Sequence, residues 1–287
     1  MARALEAVGC VAAWDEAAEL VAAAPDDAAL EASVARRATG EPLAWITGTA
    51  RFCGLDVAVD PGVYVPRWQS EALAHRAVEL LPADGTAVDL CTGSGAVAMV
   101  LRGAHPGSRV VATEIDPRAV ACARGNGVHV LLGHLDEPLP DGLAGTVDVL
   151  VGVLPYVPAD SFRLLPRDVE AFEPRRALDG GEDGLTYVAE VVATSVRWVR
   201  PGGWLLLEVG GDQVDVVRGM FTSAGYDQVS VLTDDDDDPR AVIGRLPCRR
   251  ARSGPTPLRG SRAAAGPTPG AEAWPASWPR SGGCAPG

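Results

Sequence analysis

The chain has 287 residues, 47% of them hydrophobic, and a formal net charge of −13. That length allows one large domain or two small ones, with ample apolar material for a packed core. From Pro247 onward six arginines face one acid, so the tail carries +5 and the rest of the chain −18. An acidic body excludes a broad nucleic-acid surface, which needs a basic footprint. The six cysteines are scattered, with no CxxC pair and no histidine at ligand spacing, which argues against a metal site and a disulfide scaffold. Asp15, Glu16 and Glu19 interrupt the early apolar residues, against a signal peptide. No apolar run approaches the roughly 20 residues of a membrane span. A cytoplasmic protein with no membrane partner is the expectation.

The first 40 residues are alanine-rich and predict a helix over about Cys10 to Ala24. Pro25-Asp26-Asp27 breaks it and caps a second helix ending near Thr39-Gly40. This helical cap is too short to fold alone. Ala44 to Gly48 and Leu55 to Val59 read as strands of a hairpin, followed by an Asp60-Pro61-Gly62 turn. A helix then opens near Gln69-Ser70-Glu71 and runs to about Leu81, with Ser70 or Gln69 near the cap and Glu71 favoured by the helix dipole.

From Thr86 strands and helices alternate. The strands are Ala87–Leu90, Arg109–Ile115, Val128–Leu132, Val147–Val153 and Trp204–Val209. The helices are Ala96–Arg102, Pro117–Asn126, Leu185–Val199 and Gln213–Ala224. Near-continuous apolar strands between helices predict an α/β fold with a mostly parallel sheet covered on both faces. Gln228–Leu232 and Ala241–Leu246 have no helix between them and predict a C-terminal antiparallel hairpin. Its Asp234–Asp238 loop lacks the glycine turn of a calcium site and reads as a solvated acidic loop. Residues 247 to 287 lose all periodicity and are expected to be disordered.

The stretch Val88-Asp89-Leu90-Cys91-Thr92-Gly93-Ser94-Gly95 reads as a strand running into a glycine turn and a helix. The next strand ends on Glu114-Ile115-Asp116. A tight glycine turn lets the backbone approach a ligand, and an acid about 20 residues later accepts hydrogen bonds from ribose hydroxyls. Ala98 is a tolerated third residue of a dinucleotide loop, so spacing alone leaves that cofactor open. Asp89 separates the two: it would repel a pyrophosphate and welcome the amino group of a methionine. This pattern, with the terminal hairpin, fits S-adenosylmethionine.

The resemblance extends further. Thr39 to Gly48, Phe52-Cys53-Gly54-Leu55, Val65-Pro66-Arg67, Asp89 to Gly95, Glu114, Pro155-Tyr156 and Glu173 to Leu185 together resemble the HemK/PrmC family of protein-(glutamine-N5) methyltransferases. The likeness spans about Arg36 to Leu246. Val157-Pro158 after Pro155-Tyr156 is closer to an actinobacterial paralogue group of that family. The resemblance implies a Rossmann-like class I S-adenosylmethionine-dependent methyltransferase fold, with a seven-stranded sheet and a small N-terminal helical domain. It implies four segments: a helical cap over 1–40, a β-hairpin linker over 41–66, the methyltransferase domain over 67–246 and the tail. The cofactor would meet Asp89, Cys91, Thr92, Gly93, Gly95, Glu114, Ile115, His134, Leu135 and Val153. The acceptor would meet Val153, Leu154, Pro155 and Tyr156. The implied partner is a protein, a peptide chain release factor carrying Gly-Gly-Gln, bound by a monomer.

Two positions depart from the family pattern. Where members carry Asn-Pro-Pro-Tyr or Asn-Val-Pro-Tyr, this chain has Val153-Leu154-Pro155-Tyr156. The asparagine oxygen and the next carbonyl accept the amide N–H groups and turn the nitrogen lone pair toward the methyl. Val153 has no such acceptor. Where members carry an acid for the adenine amino group, this chain has His134; its ring nitrogen, or Asp136 turning in, would take that contact. The alternatives are therefore a methyltransferase acting on a different, small-molecule nucleophile, and a degenerate paralogue that binds cofactor without catalysis. A nucleic-acid base methyltransferase shares the motif logic, but the acidic body disfavours it.

Overall fold

The N-terminal helices form because an alanine-rich chain loses little entropy when it coils. The computed structural model describes residues 1–10, 12–165, 167–234 and 236–248. The disorder expected of the tail concerns residues almost all outside that range. α1 (Ala2–Ala7), α2 (Ala13–Ala23) and α3 (Asp27–Ala38) come first; α1 was not foreseen. Asp26 caps α3 by accepting the Ala29 amide at 2.8 Å. Arg37 on α3 reaches the Glu16 carboxylate on α2 through two bonds, at 2.6 and 3.1 Å. Leu5, Ala13, Ala17 and Leu20 form a small core of their own, against which Leu43 and Ile46 pack.

The strand expected over Ala44–Gly48 is instead a short helix, α4 (Leu43–Thr47). Gly48 ends it at φ 83°, in the left-handed region that favours glycine. Tertiary packing overrides the β-propensity of Ile46 and Thr47. Trp45 must be buried, and its indole Nε1 donates to the Val63 carbonyl at 2.9 Å. The first strand of the hairpin is therefore displaced to β1 (Thr49–Phe52), while the second forms where expected as β2 (Leu55–Ala58).

α5 (Glu71–Leu80) leads into the sheet. The Ser70 side chain does not cap it. Glu71 does more than favour the dipole: its Oε1 accepts the Cys53 amide at 2.9 Å and ties the hairpin to α5. Then follow β3 (Thr86–Leu90), α6 (Ala96–Ala104), β4 (Arg109–Glu114), α7 (Pro117–Gly125), β5 (Val130–Leu132) and β6 (Val147–Gly152). α8 (Arg167–Phe172), also unforeseen, precedes α9 (Thr186–Ser195). β7 (Val199–Glu208) begins five residues before the expected Trp204, inside the span predicted as helix. The helix stops early because Trp198 is drawn into the core, with its Nε1 donating to Asp136 at 2.6 Å. α10 (Val214–Ser223), β8 (Asp227–Thr233) and β9 (Pro239–Arg245) complete the chain. In the loop between the last two strands, Asp234 is turned inward onto Arg240 and accepts the amides of Asp236 and Asp238.

The seven strands are ordered β5-β4-β3-β6-β7-β9-β8. All described pairs from β5 to β7 are parallel, while β9 runs antiparallel to both neighbours. Successive residues face opposite cores: Ala87 and Leu206 pack on the α5–α6 side, Val88 and Leu205 on the α9–α10 side. That is why these strands read as unbroken apolar runs. The chain starts this sheet at its centre, builds outward through β4 and β5, then crosses to β6. Such a reversal opens a crevice outside the carboxyl ends of the strands.

Trp45→Phe keeps the ring and deletes the indole donor. It should lower unfolding stability by about 1 kcal/mol, read as a shift of the urea midpoint at unchanged slope.

Candidate active site

Four strand ends converge on the crevice. β3 feeds the loop Cys91–Gly95, β4 feeds Ile115-Asp116, β5 feeds Gly133–Leu135 and β6 feeds Val153–Tyr156. The central cleft is lined by Gly93, Glu114, Ile115, Val153 and Tyr156. A side pocket toward α5 is lined by Asp89, Thr92 and Tyr64. A second, toward β5, is lined by His134, Leu135 and Tyr187. Cys91 borders all three.

Asp89 is 2% exposed at the end of β3. Its Oδ2 accepts the Thr92 hydroxyl at 2.5 Å and the Ala98 amide at 3.2 Å, so the acid folds the loop around itself. Burial pushes its pKa up to about 7, against the pull of those two donors. Cys91 and Gly93 both have positive φ, 55° and 56°. A side chain at Gly93 would project into open space, so the backbone there is bare toward the cleft. Gly95 is different: it faces α7 rather than the cleft, where a Cβ would press on Val128 at 2.8 Å.

Glu114 is the hinge of the site. Oε1 accepts the amides of Ile115 and Asp116 at 2.8 and 2.9 Å, and Oε2 accepts the Gly93 amide at 3.0 Å. A carboxylate has about four acceptor positions, so Oε2 keeps room for one further donor, such as a ribose hydroxyl. Burial raises the Glu114 pKa, opposed by its three amide donors. Ile115, 49% exposed, lies open beside it.

His134 lines the pocket near β5, with Nε2 3.0 Å from Glu190 Oε1 and its ring edge-on to Tyr187. The alternative that Asp136 turns in is not met. Its two oxygens are bonded to Thr194 at 3.0 Å and Trp198 at 2.6 Å, on the core side.

On the acceptor side Val153 is half-buried and lines both the central cleft and the Asp89 pocket. Leu154 as a whole is 2% exposed, and its side chain packs in the core. Among the described residues no donor reaches its carbonyl. Tyr156 donates its hydroxyl to Glu208 Oε1 at 3.1 Å, and its pKa lies above the usual range through burial. Glu208, at the end of β7, is raised by burial, with Ser70, Tyr156 and Arg240 pulling the other way. The Ser70 hydroxyl, expected near the helix cap, is thus committed to Glu208. Gln213 holds the segment from behind, its Nε2 donating to the Tyr156 carbonyl at 3.0 Å. Gly184 closes the same contact; with φ 75°, a Cβ there would collide with that carbonyl.

Sequence reasoning missed Tyr64, Glu208, Gln213 and Arg176. Tyr64 lines two of the cavities, with the guanidinium of Arg67 5.3 Å from its ring centroid and ion-paired with Glu173. Its place beside Val65-Pro66-Arg67 was the available signal.

The residues present suit S-adenosylmethionine: a bare glycine backbone, a buried acid on one side and an acid with a spare acceptor on the other. No family model matches the chain. Curated relatives do. A release factor glutamine methyltransferase of Geobacter sulfurreducens is 39% identical over 225 residues, 76% of this chain and 78% of that protein. The namesake from Streptomyces coelicolor is 36% identical over 221 residues, 74% of this chain and 78% of its own length. That of Mycolicibacterium smegmatis is 42% identical over 188 residues, 63% of this chain and 66% of its own. At 39% identity over 78% of the Geobacter relative, this chain belongs to the release factor glutamine methyltransferase family.

Proposed function

We propose that the chain transfers a methyl group from S-adenosylmethionine to the side-chain amide nitrogen of a glutamine, with the Gly-Gly-Gln segment of a peptide chain release factor as acceptor. The observation that carries this reading is that the Asp89 pocket adjoins the cleft lined by Glu114 and Val153–Tyr156, the two sharing Cys91, Gly93 and Val153. The bound cofactor supplies an electrophilic methyl on a sulfonium. Asp89 would hold its amino group and Glu114 a ribose hydroxyl through Oε2. Cys91, Thr92, Gly93, Ile115, His134 and Leu135 would complete its bed.

The acceptor amide is a weak nucleophile, so its orientation carries much of the work. The Leu154 carbonyl accepts one amide N–H. The Tyr156 ring, fixed through Glu208 and Gln213, walls the planar amide. Val153 offers only alkyl groups where a second acceptor belongs. One missing preorganised bond costs about 3–4 kcal/mol at the transition state, or roughly 10²–10³ in rate. That same residue favours a second reading, a different nucleophile that needs no second acceptor.

Cofactor binding by calorimetry comes first; no heat at millimolar S-adenosylmethionine would remove both readings. With a Gly-Gly-Gln release-factor fragment as acceptor, the native chain should transfer methyl slowly. Val153→Asn should raise the rate by up to about 10²–10³-fold. A variant that binds cofactor and stays inert would show that position 153 has been given the wrong role.

Asp89 makes cofactor affinity depend on pH. Its pKa of about 7 means that it is mostly neutral at pH 6 and ionised at pH 8, and only the carboxylate attracts an ammonium group. Affinity should therefore rise several-fold from pH 6 to about 7.5 and fall again where the ligand's own ammonium loses its proton, and Asp89→Asn should abolish the rise. Stability runs the other way. The folded state holds this proton more tightly than the unfolded state, so the Asp89 contribution is full below pH 3.8 and is lost as pH rises to about 7. The difference between native and Asp89→Asn melting temperatures across that window measures it.

A further inference from the structure

We propose that Arg176 is a cofactor-contacting residue whose guanidinium covers the adenine of S-adenosylmethionine. The proposal rests on the cofactor reading given above and adds a residue to it. Arg176 sits in the 3-10 turn Arg175–Ala177 and borders both the central cleft and the pocket toward β5. Ile115 borders the same two cavities. An exposed aliphatic side chain and a planar cation thus flank the nucleoside half of the groove. Arginine stacks its plane on an aromatic face, which lysine cannot do.

The turn is well placed to hold that arm. On one side Glu173 is ion-paired with Arg67. On the other, Asp179 accepts the Gly181 amide at 3.1 Å, and Arg175 lies 3.1 Å from its carboxylate. Val157 and Asp179 form a bridge that joins this turn to the acceptor segment. Between these anchors Arg176 is left with a weak tether. Its Nη1 lies 3.7 Å from Asp116 Oδ2, and the Arg176 side chain is 60% exposed. A surface ion pair of that length contributes little. Asp116 keeps its other oxygen on the Arg118 amide at 2.8 Å, so it stays on α7 as the helix cap if Arg176 leaves. The guanidinium can therefore swing from carboxylate to base at small cost. Arg176 does not border the Asp89 pocket, so its contribution falls on the nucleoside and not on the amino acid end.

Calorimetry on the full chain tests this with S-adenosylhomocysteine and with adenosine. Arg176→Ala should weaken both by the same factor, about five- to tenfold, at an unchanged melting temperature. Arg176→Lys, which keeps the charge and loses the plane, should lose most of that factor. Equal affinity in native and Arg176→Ala proteins overturns the proposal. So does a loss confined to S-adenosylhomocysteine, or full affinity in Arg176→Lys, which would leave only a charge effect. If the native chain binds neither probe, the cofactor reading itself fails, and that result is distinct from the others.

Discussion

The whole site depends on one carboxylate bridging two loops. Glu114 gathers three backbone amides, two from its own turn and one from Gly93 across the strand boundary. Those amides belong to a loop and a turn that must leave the sheet and therefore lose ladder partners. Buried unpaired amides cost free energy, and an anion that satisfies three at once fixes the shape of both connections. Asp89 does the same one strand away, folding its loop from inside through Thr92 and Ala98. The two acids thus serve the fold before they serve any ligand. Their substitution would disturb loop geometry as well as chemistry.

Much of this was legible in the sequence, for a physical reason. A strand buried on both faces writes itself as an apolar run, and a tight turn writes itself in glycine. Val88 to Gly95 and Ala112 to Asp116 carry both marks. Ala44 to Gly48 misled because its residues favour strands locally, while the need to bury Trp45 acts through the distant Val63. The acceptor wall was illegible for the same reason. Tyr156 meets Glu208 and Gln213 across 52 and 57 residues, and Arg67 meets Glu173 across 106. No local pattern announces a contact made by folding β6 beside β7. Asp136 shows the converse: its position along the chain suggested a ligand, and the packing of Trp198 claimed it.

The two halves of the cleft differ in character. The cofactor half is polar and over-determined, with each acid held by several donors. The acceptor half presents alkyl carbon at Val153, a Leu154 carbonyl with no donor among the described residues and a tyrosine whose orientation is set by buried partners. In the proposed reaction, orientation with a single acceptor would hold the planar amide and activate it weakly. Tyr156 is held by Glu208 and Gln213, so on the acceptor side the departure noted in the sequence lies at Val153.

The position of β9 has a consequence for the order of synthesis. The last strand to be made is inserted between β7 and β8, so β7 is an unprotected edge until it arrives. Glu208 on that edge pairs with Ala241 of β9, and Arg240 lies beside its charge. While the chain is being made, Glu208 therefore lacks both its Ala241 strand partner and the Arg240 charge. Its buried carboxylate stays wet until the final hairpin closes. β9 thus completes the surroundings of the carboxylate that takes the Tyr156 hydroxyl.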